Sequence, residues 1–312
     1  MQKKKIAVSI GDLNGIGIQL ALENHTQIAA MVDPIYCIDN TMLLHSAELL
    51  QIPIPDGFQT VEDIAPAFTI EPGIVSVSSG AYAYASFVKA VELAREGKVD
   101  AITTLPIHKK AWEEAGVKYK GHTDALRDFF DADAIMMLGC PNMYVALFTE
   151  HIPLREVADS INEQNLTRFF VDFYHTAKPT STVAVLGLNP HAGDDGVLGN
   201  EEKIIVNAIT NANHTLNAQR SALSAPFTGP LVPDVAFTPN VRKHYTHYVA
   251  MYHDQGLAPL KALYFDEGIN VSLNLPILRT SVDHGTAFDI AYKGVKLNAL
   301  SYLNAVRYIA AS

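Results

Sequence analysis

KIAVSIGDLNGIGIQLALENHTQIAAM, residues 5–31, opens the chain with a strand, a glycine-bearing turn and a helix. Lys5 to Ile10 alternates too little in polarity for an exposed strand and reads as a buried one, and the helix is expected from about Gly15 to Met31. Such a unit invites a dinucleotide-binding reading, the more so because Asp39 ends the next apolar run, IYCID. The glycine spacing opposes it. A dinucleotide fingerprint needs G-x-G-x-x-G, in which each glycine has its own steric task, and GDLNGIG sets its glycines elsewhere.

Outward from this unit the same alternation continues. Ala83, Phe87, Ala90 and Leu93 fall at helical spacing within Ser78 to Gly97, and Gly97 is a good helix stop. Val99 to Thr104 then reads as a buried strand running into TLPIHK. Further strands are expected at Ala134 to Leu138, Met143 to Thr149, Thr182 to Leu188 and Tyr248 to Met251, and helices near Leu166 to Thr176, Glu201 to Asn213 and Asn298 to Ala310. Strands that alternate with helices give an α/β architecture, in which ligands collect beyond the strand ends. The proline-bearing stretch from Ser221 to Asp234 is expected to be an irregular connection, mobile or at an interface. No internal repeat or low-complexity segment is visible.

At 312 residues the chain exceeds the size at which a single core usually stops growing, so two lobes are expected. Its 48% hydrophobic and 18% charged residues suit a soluble globular protein. A net charge of -10 and a pI near 5.6 provide no general positive field to draw in nucleic acid or an anionic membrane, so any phosphate site must be local. Cys37 and Cys140 lie in apolar settings without a CxxC pattern, as buried free thiols in a reducing compartment would. The start, MQKKKIAVSIGD, is basic then apolar, but the run IAVSI is too short for a signal peptide, and no segment offers the roughly 18 apolar residues of a membrane span. A cytoplasmic location is expected.

The chemistry concentrates between Met251 and Asp289, in MYHDQGLAPLKALYFDEGINVSLNLPILRTSVDHGTAFD. This run holds a His-Asp pair (His253, Asp254), a set of anion-holding groups (Lys261, Asn270, Arg279) and a glycine-containing approach to an expected helix (His284 to Asp289). Taken singly these are ordinary, since a His beside an Asp is often a structural pair and scattered cations are usually solvated. Three histidines, His151 in FTEHIPL, His191 in LGLNPHAGD and His253 in AMYHDQG, each follow an expected strand, and three imidazoles with an open position suit a divalent ion. Spacing alone does not bring them together.

The YHDQG…K…N…RTSVDHGTA pattern, with GDLNGIG, TLPIHK, GHTD at Gly121 to Asp124, EHIPL and LNPHAGDDGVLGNEE in order, resembles the 4-hydroxythreonine-4-phosphate dehydrogenase family over essentially the whole chain. The resemblance implies a two-lobed α/β fold like that of isocitrate and isopropylmalate dehydrogenases, with a cleft between the lobes. In that division residues 1–120 and 284–312 form the cofactor-side lobe, and 121–283 form a second lobe with the metal and substrate residues and the dimer contacts. It implies NAD- and divalent-metal-dependent oxidation of 4-phosphooxy-L-threonine to 2-amino-3-oxo-4-phosphooxybutyrate. That product decarboxylates to 3-amino-2-oxopropyl phosphate, in pyridoxine 5′-phosphate biosynthesis. Carried over residue by residue, His151, His191 and His253 would hold zinc, magnesium or cobalt, and His122, Thr123, Lys261, Asn270 and Arg279 would hold the substrate. Asp234 or Asp254 would take the proton or orient a ligand, a choice left open. The HGTAFDIAYKG run is similar to the HGSAPDIAGKG stretch of isopropylmalate dehydrogenase, with Gly285 and Thr286 near the cofactor and Asp289 placed to accept from ribose hydroxyls, which favours NAD. A homodimer that completes the site is likewise implied.

The chain departs from the family pattern where GDPAGIGPE is GDLNGIGIQ, GHTE is GHTD and TAPINK is TLPIHK, the last placing His108 beside a strand end. No expected metal or phosphate ligand is changed. Two other readings remain: a related dehydrogenase of phosphorylated threonate or erythronate, and a metal-dependent phosphate-ester hydrolase.

Overall fold

The computed structural model describes residues 3–218 and 225–312, which divide into two compact units. The chain runs β1 (Lys5–Ser9), α1 (Gly17–Met31), β2 (Asp33–Cys37), α2 (Asn40–Leu50), β3 (Gln59–Thr60), α3 (Val77–Arg95), β4 (Ala101–Thr104), α4 (Lys109–Glu114) and α5 (His122–Phe130). It continues through β5 (Ile135–Cys140), β6 (Met143–Leu147), α6 (Val157–Ser160), α7 (Glu163–Ala177), β7 (Val183–Leu186), α8 (Glu201–Asn217), β8 (Phe227–Leu231), α9 (Pro233–Ala236), α10 (Pro239–Arg242), β9 (His247–Ala250) and α11 (His253–Tyr264). It closes with β10 (Ile269–Leu273), β11 (Leu278–Val282) and α12 (Leu300–Ala311).

The first unit comprises Met1–Asp133 with Ile269–Ser312, and its strands lie in the order β3, β2, β1, β4, β11, β10. All pair in parallel except β10 with β11. Its central strands are apolar on both sides: Ile6, Ala7 and Val8 are fully buried, Ile6 and Val8 packing with α1, α2 and α12 residues, Ala7 with Phe87 and Trp112. That two-sided burial is why residues 5–10 lack alternation. Gly11 ends β1 with φ +73, and a side chain there would press within 2.3 Å of the Pro106 carbonyl, so the turn requires glycine. At the start of α3, Ser76 Oγ accepts the Ser79 amide at 3.2 Å as the N-cap.

The second unit, Ala134–Gly268, orders its strands β5, β6, β9, β7, β8, with β5 and β6 antiparallel and the rest parallel. Its core is Met136, Leu138, Val145, Leu147, Leu186, Tyr248 and Leu257 with their neighbours. Cys37 and Cys140 are buried free thiols in the first and second units respectively. Among the described residues no helix is long and apolar enough to cross a membrane.

Several expectations shift. The units part at Asp133/Ala134 and Gly268/Ile269 rather than at 120/121 and 283/284. The reason is pairing: β11 is hydrogen-bonded to β4 and β10 to β11, and His122 on α5 packs its ring against Phe87 and Trp112. His122, Thr123, Asn270 and Arg279 therefore belong to the first unit. Of the stretch from Ser221 to Asp234, residues 221–224 lie outside those described, and Phe227–Leu231 is a strand at the sheet edge, where Pro230 costs no central ladder bond; its pairing with β7 shifts register between Ala184 and Leu186. No helix follows Gly285, since residues 288–294 form turns and α12 begins only at Leu300.

Candidate functional site

In the first unit the substrate residues expected there meet on one face of the sheet. Ser272 of β10 stands directly opposite Arg279 of β11, and Asn270 opposite Ser281, so alternate residues of both strands share that face. Thr104 joins them from β4, which pairs Arg279 with Ile102 and Ser281 with Thr104. Arg279 is only 3% exposed. Its Nε and Nη2 donate to Thr104 Oγ1 at 3.1 and 2.6 Å, its Nη1 to Ser272 Oγ at 3.3 Å and its Nη2 to His122 Nδ1 at 3.2 Å. Thr123 Oγ1 lies 3.3 Å from Ser272 Oγ. Every partner of this guanidinium is neutral, and burial pushes it down to about 9, still charged at neutral pH.

Two further polar atoms at this face are buried without a partner, His122 Nε2 and Asn270 Oδ1. Burial, and next the Arg279 charge, hold His122 well below the ordinary histidine range, so it is neutral. A buried cation with no carboxylate, beside orphaned polar groups, is a place for an anion. Thr104 and Ser272 were not singled out from the sequence. Their signal lies in the strand register, which sequence spacing does not reveal.

The GDLNGIG turn and the HGTAFD loop, from opposite ends of the chain, meet in this unit. Ile16 donates its amide to the Thr286 carbonyl at 3.1 Å, Tyr292 donates its hydroxyl to the Leu13 carbonyl at 2.8 Å, and a side chain on Gly15 would come within 2.8 Å of the Thr286 oxygen. Thr286 is thus buried as a packing contact, whereas Gly285 has open space on its side-chain face and Asp289 is exposed. An exposed carboxylate and an open glycine in one loop are groups that a ligand with hydroxyls could reach, while Thr286 serves the loop. His108 stacks on Phe288, with ring centroids 4.8 Å apart. Asp39 is no ribose acceptor: Tyr82 Oη donates to its Oδ2 at 2.7 Å and the Ile64 amide to its Oδ1 at 3.1 Å. Asp12, fully buried, accepts the Asn14 amide and the Ser79 hydroxyl at 3.0 and 3.2 Å and braces the turn.

In the second unit, His151 follows β6 and His253 opens α11, and their ring centroids lie 5.5 Å apart. His253 Nδ1 stands 2.7 Å from Asp254 Oδ1; the carboxylate can only accept, so the ring nitrogen left with a lone pair is Nε2. Asp254 thus fixes the orientation of the His253 ring. The pair fits a divalent ion. Among the described residues, however, no three His, Cys, Asp or Glu side chains gather as a ligand group, so a single chain does not assemble the three expected imidazoles.

His191 lies in the loop Pro190–Gly196, where His191, Ala192, Asp194 and Asp195 all take left-handed backbone angles, φ 43 to 55. Left-handed non-glycine residues cost about 1–2 kcal/mol each. The loop is anchored by Glu202, 7% exposed, whose Oε1 accepts the Leu188 and Asn189 amides at 2.9 and 2.7 Å and whose Oε2 accepts Asn189 Nδ2 at 2.9 Å. Helix α9, carrying the exposed Asp234, packs on this loop. Lys261 sits on α11 in this unit, partly buried.

The sequence pattern of the family described as pyridoxal phosphate biosynthetic protein PdxA matches residues 30–309. The chain is 55% identical over 307 residues to the 4-hydroxythreonine-4-phosphate dehydrogenase of Sulfurimonas denitrificans, covering 98% of this chain and 97% of that one. To the protein of the same name from Campylobacter fetus it is 49% identical over 309 residues, covering 99% and 98%. Among solved structures, the 4-hydroxythreonine-4-phosphate dehydrogenase of Klebsiella pneumoniae matches with a TM-score of 0.81 at 31% identity, covering 98% of this chain and 99% of that one. That of Burkholderia phymatum matches with a TM-score of 0.79 at 32% identity, covering 99% and 98%. With its α/β fold of the isocitrate/isopropylmalate dehydrogenase-like class, the chain belongs to the PdxA family of pyridoxal phosphate biosynthetic proteins.

Proposed function

We propose that the protein oxidises 4-phosphooxy-L-threonine with NAD, as a divalent-metal-dependent dehydrogenase in pyridoxal phosphate biosynthesis. The observation that carries this reading is Arg279, a buried cation whose partners are all neutral, flanked by orphaned His122 Nε2 and Asn270 Oδ1. A phosphate or carboxylate of the substrate supplies the missing negative charge, and charge-assisted bonds of that kind are about twice as strong as neutral ones. His122 offers its Nε2–H, and Thr123 and Asn270 complete the hold. Lys261 is proposed as a further cation for the same substrate.

In the reaction the C3 hydroxyl loses its proton to a base while hydride leaves C3. The 3-oxo acid formed then breaks its bond to the carboxylate, releases carbon dioxide and takes up a proton at that carbon to give 3-amino-2-oxopropyl phosphate. A divalent ion, when bound, supplies stabilisation of the negative charge developing on the C3 oxygen. His151 and His253 would hold it, with Asp254 keeping the His253 Nε2 lone pair directed outward, and His191 as third ligand in a homodimer that completes the site. Because Asp254 is engaged with His253, Asp234 is the better candidate for the base. Asp289, exposed beside Gly285, would accept from the ribose hydroxyls of NAD. A cytoplasmic setting is part of the proposal.

The test is turnover of purified protein supplied with zinc, magnesium or cobalt. NADH should form from 4-phosphooxy-L-threonine and much less from phosphorylated threonate or erythronate. Preference for the hydroxy acids would reassign the substrate, and release of inorganic phosphate without NADH would replace the reading by a hydrolase.

A further inference from the structure

We propose that Thr104 is a positioning residue of the anion site, setting the Arg279 guanidinium and through it the proton of His122. The inference rests on the reading of this face as the seat of the substrate's anionic group. A guanidinium carries N–H donors and no acceptor, so wherever it meets an imidazole the ring nitrogen must accept. Arg279 Nη2 meets His122 Nδ1 at 3.2 Å, which places the hydrogen of the neutral ring on Nε2, the buried atom that no protein group satisfies. The ring cannot turn to exchange the two nitrogens freely, being wedged against Phe87 and Trp112 with centroids at 4.8 and 5.2 Å. His122 is thereby a donor directed at whatever anion enters.

What aims the guanidinium is Thr104. Its fully buried hydroxyl oxygen receives both Nε and Nη2, at 3.1 and 2.6 Å, and Nη2 is also the nitrogen that meets His122 Nδ1. Ser272 takes Nη1 from the other side at 3.3 Å. Ser272 Oγ also lies 3.3 Å from Thr123 Oγ1, a contact in which either hydroxyl can donate. The network of neutral oxygens thus orients donors rather than neutralising the charge. A carboxylate at position 104 would hold the arginine more tightly and cancel the field the anion needs.

The experiment compares the full-length protein with Thr104→Val, Thr104→Ala and Thr104→Ser. Two readouts are taken: the His122 tautomer by nitrogen-15 NMR of labelled histidine, and inorganic phosphate affinity by calorimetry. In the unsubstituted protein His122 should be the Nε2–H tautomer. Thr104→Val and Thr104→Ala should show mixed tautomers and about tenfold weaker phosphate binding, the loss expected for one charge-assisted hydrogen bond. KM for the phosphorylated substrate should rise by more than kcat falls, and Thr104→Ser, which keeps the hydroxyl, should restore tautomer and affinity. An unchanged tautomer and unchanged phosphate affinity in Thr104→Val, or in Thr104→Ala where the valine protein does not fold, would overturn the role of Thr104. A tautomer that responds to Thr104 in a protein that binds no phosphate would keep this role and overturn the anion-site reading instead.

Discussion

Replacing Arg279 by methionine separates the cost of burying its charge from the benefit of having it. The guanidinium is 3% exposed and burial lowers it to about 9 from an ordinary value of 12.5. A cation whose folded value lies below its unfolded one destabilises the fold at every pH below the folded value, and that cost is relieved only as pH climbs through and above about 9. At roughly 1.4 kcal/mol per pH unit the penalty is on the order of 5 kcal/mol at neutral pH. Against it stand four hydrogen bonds to Thr104, Ser272 and His122, each from the charged guanidinium and worth about 1.5 kcal/mol at the lower end. The two nearly cancel, so Arg279→Met, of similar length and apolar, should leave the melting temperature of the ligand-free protein unchanged or slightly higher. Phosphate should then separate the two proteins. A ligand at about a hundred times its dissociation constant stabilises by roughly 2.7 kcal/mol, a shift of about 5 °C or more in a chain of this size. Thermal scans with and without phosphate should show that shift in the unsubstituted protein and its loss in Arg279→Met. A methionine protein that keeps the full shift would refute the account of this face.

Arg279→Lys keeps a cation but not its reach to Thr104, Ser272 and His122 together, and an ammonium starts near 10.4, so the same burial brings it toward neutrality. Its KM for phosphorylated substrate should therefore climb from about pH 6 to 8, as the lysine loses its proton, while the arginine protein stays flat there and changes only as pH approaches about 9; parallel profiles would contradict this. Glu202→Ala removes the acceptor of the Leu188 and Asn189 amides and should cost about 3–5 kcal/mol, lowering the melting temperature by roughly 10 °C. A loss under about 1 kcal/mol would mean that the left-handed loop holds itself. His191→Ala should fold, since the side chain is exposed, yet lose bound metal and turnover together; metal content by elemental analysis decides, and turnover without metal would remove the ion from the reaction.

Much of the fold was legible where burial is two-sided or periodicity long. The strand at residues 5–9, the helix α3 and the strand β4 follow directly from an uninterrupted apolar run and from Ala83, Phe87 and Ala90 at helical spacing. The glycine spacing of GDLNGIG rightly spoke against a dinucleotide fingerprint, and the structure adds that Asp39 is already taken by Tyr82 and Ile64. The β10–β11 pair is hard to see in the sequence because Asn270, Ser272, Arg279 and Ser281 interrupt apolar runs with polar residues on one face. The helix expected after Gly285 failed for a tertiary reason: Thr286 gives its carbonyl to Ile16 and Phe288 stacks on His108, contacts that hold the loop out of helical geometry. The left-handed run at His191 was likewise hidden, since Ala192, Asp194 and Asp195 carry no local preference strong enough to announce it. The anchoring carboxylate of Glu202 lies a loop away.

If the first unit's sheet face holds the substrate's phosphate, turnover must depend on that phosphate. Initial rates of NADH formation, measured with 4-phosphooxy-L-threonine and with 4-hydroxy-L-threonine lacking the phosphate, test it most directly. Turnover confined to the phosphorylated compound, and lost with Arg279→Met, is the predicted result; equal turnover of both, or none of either with every divalent ion supplied, would contradict it.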